Sequence, residues 1–399
     1  MAGFSKTRLQ RLSQGMAGYI ERGHAPGLVA LMSRGDDVHV EVHGALALEA
    51  DAPMRRDSLF RIASLTKPIL SAAAMSIVEE GALNLDAPVD AWLPELAEPK
   101  VLRSLDAELD DVVPAERAIS VRDVMTFRLG HGAIMAPPGQ CPIQAAQAQA
   151  GVAPGPVMPK MSPDAYMRGL GDLPLLHQPG AQWLYNTGSD VLGVLLSRLS
   201  GKSLDRVLRE RVFEPLGMRD TGFHVPEAQV GRLTAAYAAD AETGKLELFD
   251  AAARGEFTRP PQFPSGAGGL VSTADDLLAF SRMMLGQGRL GGARVLSRTT
   301  VDLMTTDQIT AEQKAASHFV PGFWDTAGWG FGMSVTTRRD VIGPSVGSCG
   351  WFGGYGTSWR ADPVEDVTVI LLTQRLMGSP DDARITDDFW TLAYQALDD

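Results

Sequence analysis

The first part of the chain has the pattern of a helix followed by a β-hairpin. Two β-rich runs, residues 27–32 and 37–43, flank a Ser-Arg-Gly-Asp turn, which is typical of a hairpin. A preceding amphipathic helix within residues 1–28 is predicted by four apolar residues at helical spacing: Leu9, Leu12, Met16 and Ile20. A sheet is therefore expected to begin near the amino terminus.

A second helix is predicted for residues 65–80. Ile69, Ala73 and Ile77 recur there every fourth position among further alanines, and Gly81 supplies a stop signal. Ser64 is therefore expected at or just before the start of a buried helix.

The rest of the chain has a helical middle and an end rich in strands. The clearest further elements are helices at 191–199 and 204–212, strands at 330–336, 358–361 and 367–373, and an amphipathic helix at 387–396. We predict an α/β domain assembled from residues 1–80 and 265–399, with a mainly helical domain, residues 81–264, inserted between its halves.

Residues 139–163 are rich in Ala, Gln, Pro and Gly and are predicted to form a long connection. In a compact protein such a connection is usually either disordered or a lid over a functional site. The pattern leaves both interpretations open.

Charge and composition exclude some classes of binding partner and location. The net charge of -12, with no cluster of Lys and Arg, disfavours nucleic acid or an anionic membrane surface as partner. No apolar run reaches the roughly eighteen residues of a membrane span, and the charged amino-terminal segment does not resemble a signal peptide. A cytoplasmic protein is expected, with Cys141 and Cys349 as reduced thiols.

Ser64 and Lys67 form the sole Ser-x-x-Lys sequence in the chain. On a helix this spacing places the hydroxyl and the amine on one face, one turn apart. A serine needs a nearby base or cation to become a nucleophile near neutral pH, and lysine can serve as either. The apolar residues around the pair predict that Lys67 points inward, where desolvation lowers its pKa.

Residues 60–68, Phe-Arg-Ile-Ala-Ser-Leu-Thr-Lys-Pro, resemble the nucleophile segment of class C β-lactamases and family VIII carboxylesterases. Further segments resemble this family in the same order: 179–185, 214–223, 264–270 and 272–276. The similarity covers roughly residues 20 to 395. It implies a β-lactamase or penicillin-binding-protein-like fold, α/β plus all-α, with an antiparallel sheet flanked by helices and an inserted helical domain.

The resemblance also implies roles for individual residues. Ser64 corresponds to the nucleophile, and Lys67 and Tyr185 to its activating partners, with Tyr185 passing the proton to the leaving group. The backbone N–H groups of Ser64 and Gly354 correspond to the oxyanion hole. Substrate-binding residues are expected at four positions: Asn186, Trp351, Phe352 and Gly353.

The chain departs from the family pattern at three places. Trp351 stands where relatives commonly have Lys or His, a replacement that esterase members share. Thr187 stands where the lactamases have Asn, with Asn186 one position early. Residues 124–130, Val-Met-Thr-Phe-Arg-Leu-Gly, replace the Leu-Leu-Thr-His-Thr-Ser-Gly of relatives. The pattern does not indicate what this last change does.

These residues predict a serine esterase that hydrolyses short-chain, uncharged esters through an acyl-enzyme on Ser64. Trp351 and Phe352 suit an uncharged group and offer a carboxylate only an indole N–H, although Arg128 could supply a cation. The alternatives are a β-lactamase or D-alanyl peptidase, an acyltransferase, and an inactive binding protein. No metal or cofactor is expected, and the partner is a small-molecule ester; the oligomeric state is not predicted.

Two other catalytic patterns are disfavoured. Residues 343–347 match the Gly-x-Ser-x-Gly elbow around Ser345, but its fold requires a later histidine and the last one is His318. His39 and His43 would share one face of a strand, roughly 13 Å apart, which is a poor start for a metal site.

Overall fold

A seven-stranded antiparallel sheet forms the centre of the computed structural model, which describes residues 3–48, 51–137, 139–379 and 382–398. Its strands are β1 (Gly27–Arg34), β2 (Asp37–Gly44), β3 (Ala327–Trp329), β4 (Ser334–Thr336), β5 (Cys349–Gly353), β6 (Thr357–Asp362) and β7 (Val367–Thr373). They lie in the order β3-β4-β5-β6-β7-β1-β2. Because β1 pairs with β7, the two chain ends build one sheet, as the sequence predicted.

Thirteen α-helices lie within the described residues. They are α1 (Lys6–Glu21), α2 (Thr66–Glu79), α3 (Val121–Met125), α4 (Pro142–Gln149), α5 (Pro163–Gly171), α6 (Thr187–Ser200), α7 (Leu204–Leu208), α8 (Glu214–Leu216), α9 (Ala274–Leu285), α10 (Arg298–Met304), α11 (Ala311–Ala316), α12 (Phe323–Thr326) and α13 (Arg384–Gln395). Four short strand pairs complete the regular structure: Phe60–Arg61 with Val271–Ser272, Lys100–Leu102 with Val112–Pro114, Ala236–Ala239 with Leu246–Asp250, and Arg289–Leu290 with Ala293–Arg294.

Strand β1 is buried on both faces, which explains its almost unbroken apolar sequence. Leu28 and Met32 point to one side, into a cluster with residues of α1 and α13. Val29 and Leu31 point to the other side, into the largest hydrophobic cluster, to which α2 also contributes. Because side chains alternate between the two faces of a strand, helices pack against both faces of the sheet.

Helix α2 is buried from Thr66 to Ile77. Its run of small alanines lets it lie inside the protein, and Gly81, with φ of 73°, follows its end in the left-handed region that glycine favours. The prediction that the segment after Ser64 is an inward-facing helix is confirmed.

Two predicted elements differ from the structure. The strand expected at 330–336 is two strands, β3 and β4, joined by a tight turn in which Gly332 has φ of 73°. The helix expected at 204–212 is α-helical only to Leu208 and continues as a wider π-helical turn, Arg209–Phe213. Apolar periodicity does not distinguish these local variations.

The inserted region, residues 81–264, contains α3 to α8 and two of the short strand pairs. The largest hydrophobic cluster runs through both this region and the rest of the chain, so the boundaries at 80 and 265 stay a prediction. Residues 1, 2, 49, 50, 138, 380, 381 and 399, which the predicted ranges include, lie outside the described residues. Within the described part, the helices are all too short or too polar to cross a membrane.

Candidate active site

Ser64 lies in a 3-10 turn, Ala63–Leu65, that leads directly into α2. The preceding residue, Ala63, has φ of 44°, a left-handed conformation that is unfavourable for any residue with a Cβ. Such strain is often retained at functional sites, where surrounding structure enforces it. The turn leaves Ser64 partly accessible at the wall of a cavity.

Lys67 is fully buried one turn further along α2. Its Nζ lies 2.8 Å from Ser64 Oγ, 2.9 Å from Asn186 Oδ1 and 2.6 Å from the carbonyl oxygen of Ala267. Burial lowers the pKa of Lys67 to about 7, because a desolvated ammonium is disfavoured. The amine can therefore lose its proton near neutral pH.

Tyr185 stands beside this pair, with its ring 4.6 Å from Lys67 Nζ. Its hydroxyl contacts the Ser64 side chain and accepts a 2.6 Å hydrogen bond from Trp351 Nε1. Burial raises the pKa of Tyr185 to about 12, and these two hydrogen bonds oppose that rise. The phenol is therefore protonated at neutral pH.

An aromatic cluster holds Tyr185 and Trp351 in this relationship. The Tyr185 ring lies 5.6 Å from that of Trp351, and Trp329 contacts Trp351 edge to face at 4.6 Å. Phe127 packs against the cluster too, 5.9 Å from Tyr185. Phe127 replaces the histidine common in the pattern that the sequence resembles, and in this structure the 124–130 segment packs an apolar ring against the tyrosine.

Asn186 occupies a strained position between Tyr185 and α6. Its φ of 85° and ψ of -63° are those of a γ-turn with positive φ, closed by a 3.3 Å hydrogen bond from Thr187 N–H to Tyr185 carbonyl oxygen. This turn directs the Asn186 amide to Lys67 Nζ. An asparagine one position early in the sequence thus reaches the lysine.

Strand β5 borders the site on the other side. Strand β4 pairs only with its first two residues, so Trp351, Phe352 and Gly353 pair with β6 alone. Gly353 packs so tightly that a Cβ there would lie 2.4 Å from the carbonyl oxygen of Ile62. Within the described residues, the N–H of Gly354 has no backbone acceptor.

The cavity beside Ser64 has a volume of about 380 Å³. Of the predicted substrate-binding residues, Trp351, Phe352 and Asn186 line it, whereas Gly353 is buried outside its lining. Residues 153–159 form a further wall. The described lining residues include no lysine, arginine or histidine.

Arg128 and the 139–163 connection differ from what the sequence suggested for them. Arg128, considered as a possible cation for the substrate, instead binds Thr126 Oγ1 at 2.9 Å and Gln313 Oε1 at 3.2 Å. The connection predicted for 139–163 contains helix α4, Pro142–Gln149, before its irregular part reaches the cavity. Of this connection, residues 153–159 line the cavity, and a lid role for them stays a prediction.

Asp190 is the residue of this site that the sequence analysis missed. It is buried, and its Oδ1 accepts hydrogen bonds from Ser265 Oγ at 2.6 Å and Ala267 N–H at 3.1 Å. The available signal was one acidic residue in the otherwise uncharged first half of the apolar helix α6.

The competing catalytic patterns have no support in the geometry. Ser345 is buried in the loop between β4 and β5, where its hydroxyl accepts a hydrogen bond from Arg339 and its N–H binds Asp362. His39 and His43 both contact Glu41 on β2. No group of three or more His, Cys, Asp or Glu residues suited to a metal ion occurs in the described ranges.

Known proteins resemble the chain over most of its length. The Beta-lactamase family matches residues 10–390. Protein Rv1367c of Mycobacterium tuberculosis (strain ATCC 25618 / H37Rv) is 42% identical over 332 residues, 82% of this chain and 80% of that protein. Esterase EstB of Burkholderia gladioli is 30% identical over 372 residues, 87% of this chain and 85% of EstB.

A solved structure agrees with these matches. EstCE1, a hydrolase with promiscuous acyltransferase activity, superposes with a TM-score of 0.79 and 25% identity, over 97% of this chain and 99% of its own. Together these relatives support an enzyme of the serine-hydrolase or acyl-transfer type with a penicillin-binding-protein-like fold. Because the family match covers nearly the whole chain, including Ser64, Lys67 and Tyr185, the chain belongs to the Beta-lactamase family.

Proposed function

We propose that the protein is a serine esterase that hydrolyses uncharged carboxylic esters through an acyl-enzyme on Ser64. The observation that carries the proposal is the contact of one hydroxyl, Ser64 Oγ, with both a buried amine and a partly buried phenol. A nucleophile with a base on one side and a proton donor on the other meets the needs of acyl transfer.

The hydrogen-bond partners assign each proton when Lys67 is neutral. The carbonyl oxygen of Ala267 and Oδ1 of Asn186 can only accept, so they take the two N–H bonds of the amine. Its lone pair is then left for the Ser64 hydroxyl hydrogen. In this state the Ser64 hydrogen points to Lys67, so Ser64 Oγ is the acceptor in its contact with Tyr185, and the phenol, whose oxygen accepts from Trp351, donates its own hydrogen to it.

These assignments define the acylation step. Lys67 takes the proton of Ser64 as the oxygen attacks the ester carbonyl, and Tyr185 donates its proton to the departing alkoxide. The protonated Lys67, 4.6 Å from the Tyr185 ring, then stabilises the phenolate and returns a proton to it. The N–H groups of Ser64 and Gly354 are proposed to stabilise the oxyanion. Water completes the cycle by releasing the acid.

The cavity favours an uncharged substrate. A carboxylate beside Ser64 would be buried without a cationic partner, since the described lining has none. β-Lactams and peptidoglycan stem peptides carry such a group close to the scissile amide, so the amidase alternatives are less well supported. We propose short-chain esters as substrates, with residues 153–159 as the wall that limits the acyl group.

The decisive experiment combines mapping with substrate kinetics. A fluorophosphonate probe should label Ser64, identified by mass spectrometry of the modified peptide, and the enzyme should hydrolyse p-nitrophenyl acetate and butyrate. Labelling at another serine, or no turnover of any ester in the panel, would contradict the proposal.

Transfer to an alcohol is a second candidate, because EstCE1 combines hydrolysis with acyltransferase activity. Both reactions share the acyl-enzyme and differ only in the acceptor. Adding a short alcohol to the butyrate assay and measuring the alkyl butyrate formed separates them. An acyltransferase gives more alkyl ester than acid when water is still in large excess.

A further inference from the structure

Asp190 is a buried acidic residue that is linked to Lys67 through Ala267 and has no part in the proton transfers proposed above. It lies in the first turn of α6, four residues after Asn186, and is 5% exposed. A carboxylate in such a place is costly to bury unless its charge is compensated. Its position near a helix N-terminus supplies only part of that compensation.

The remaining compensation comes from a turn that also contacts Lys67. Asp190 Oδ1 accepts from Ser265 Oγ at 2.6 Å and from Ala267 N–H at 3.1 Å. Ser265 Oγ also receives the N–H groups of Ala267 and Gly268, both at 3.2 Å. The opposite side of the same residue, the carbonyl of Ala267, accepts from Lys67 Nζ at 2.6 Å. A single residue, Ala267, thus joins the carboxylate to the amine, through its N–H on one side and its carbonyl on the other.

We propose that Asp190 is a positioning residue for Lys67. Its carboxylate holds the turn that presents the Ala267 carbonyl to the amine and places a negative charge beside it. The first effect aims the Lys67 lone pair at Ser64, and the second favours the protonated amine that forms after attack. This inference rests on the proposed function of the Ser64–Lys67 pair.

Among the described residues, few titratable groups face Lys67 and Asp190. Asp190 is the acidic residue that acts on Lys67, where its attraction raises the pKa against the larger lowering by burial. Tyr166, fully buried, also faces Asp190, and burial together with that charge raises the pKa of its phenol. Tyr185 is the third titratable neighbour, through its ring contact with Lys67. Both phenols are neutral where Lys67 titrates.

The substitution Asp190→Asn separates charge from hydrogen bonding, because an amide oxygen still accepts from Ser265 and Ala267. Without the charge, the Lys67 amine holds its proton less tightly. The acid limb of the pH profile of Ser64 reactivity should therefore move about one unit to lower pH. Asp172→Asn is the matched control, since it removes an exposed carboxylate and should leave the acid limb unchanged.

The measurement is the rate of Ser64 labelling by a fluorophosphonate between pH 5 and 9, alongside kcat/KM for p-nitrophenyl butyrate. An acid limb that stays at the wild-type pH in Asp190→Asn would overturn the proposal. Labelling needs no ester, so failure to hydrolyse esters would count against the proposed function alone.

A second variant keeps the inference testable if Asp190→Asn does not fold. Ser265→Ala leaves the charge in place and removes the 2.6 Å hydrogen bond. Its labelling rate at high pH should fall about tenfold, with the acid limb within a few tenths of a unit of wild type. A wild-type rate at high pH would show that the turn does not position Lys67.

Discussion

The indole Nε1 of Trp351 donates a 2.6 Å hydrogen bond to the hydroxyl oxygen of Tyr185. This N–H is the one group that the Trp351 side chain could offer a substrate carboxylate, and Tyr185 accepts it instead. In the lactamase pattern that the sequence resembles, Lys or His commonly stands at this position. Here the residue contributes a neutral donor to the phenol and adds no positive charge to the cavity.

Trp351→Phe should lower kcat about tenfold with little change in KM, because it removes a donor that stabilises the Tyr185 phenolate. Trp329→Phe is the matched control: the ring lies in the same cluster, but its Nε1 has no hydrogen-bond partner among the described residues. Steady-state kinetics on both variants test this, and equal losses would indicate that packing alone matters.

Ser64→Ala should abolish ester hydrolysis and phosphonate labelling, since it removes the hydroxyl that is proposed to form the acyl-enzyme. Ser345→Ala should leave both nearly intact, because that hydroxyl is buried and bound to Arg339. Labelling followed by peptide mapping distinguishes the two serines. Retained labelling in Ser64→Ala with loss in Ser345→Ala would reverse the assignment.

Ester hydrolysis should lose activity as the pH falls through about 7, because burial lowers the pKa of Lys67 to about 7 and the neutral amine is the proposed base. Below that pH, kcat/KM should fall about tenfold per unit as the amine becomes protonated. Lys67→Ala should lower kcat by about 10² or more. A flat profile from pH 5 to 8 would exclude Lys67 as the base.

Tyr185→Phe should reduce the hydrolysis of alkyl esters by about 10² or more, since an alkoxide needs a proton to depart. The loss should be smaller for p-nitrophenyl esters, whose leaving group departs without protonation. Comparing kcat for ethyl butyrate and p-nitrophenyl butyrate tests the donor role. Equal losses on both esters would assign Tyr185 to the attack step instead.

Penicillins and cephalosporins should be turned over with kcat/KM lower by about 10³ than p-nitrophenyl butyrate, a penalty of roughly 4 kcal/mol. The reason is the unpaired carboxylate in a cavity whose described lining has no cationic side chain. Side-by-side kinetics with a chromogenic cephalosporin measure the ratio. Comparable values would mean that a cation reaches the substrate after all.

Local patterns were sufficient for much of the fold and for one pair of site residues. The apolar run of β1, the hairpin to β2 and the alanine-rich helix α2 are each specified by residues close in sequence. Ser64 and Lys67 are one helical turn apart, so their contact follows from spacing. Tyr185, by contrast, was found only through its resemblance to a family motif, because no local rule connects residue 185 with residue 64.

Tertiary structure decided which groups act on that pair. Asp190, Ala267 and Trp351 come from three distant segments, and only folding places them around one amine and one phenol. The strained turn at Asn186 could not be predicted either, since its backbone conformation is enforced by surrounding contacts and not by residue preference. Hydrogen bonding and desolvation depend on distances across the whole chain. The sequence therefore determined the candidate nucleophile, its helix and its candidate partners, whereas the three-dimensional structure determined the contacts of those partners and showed a cavity whose described lining has no cationic side chain.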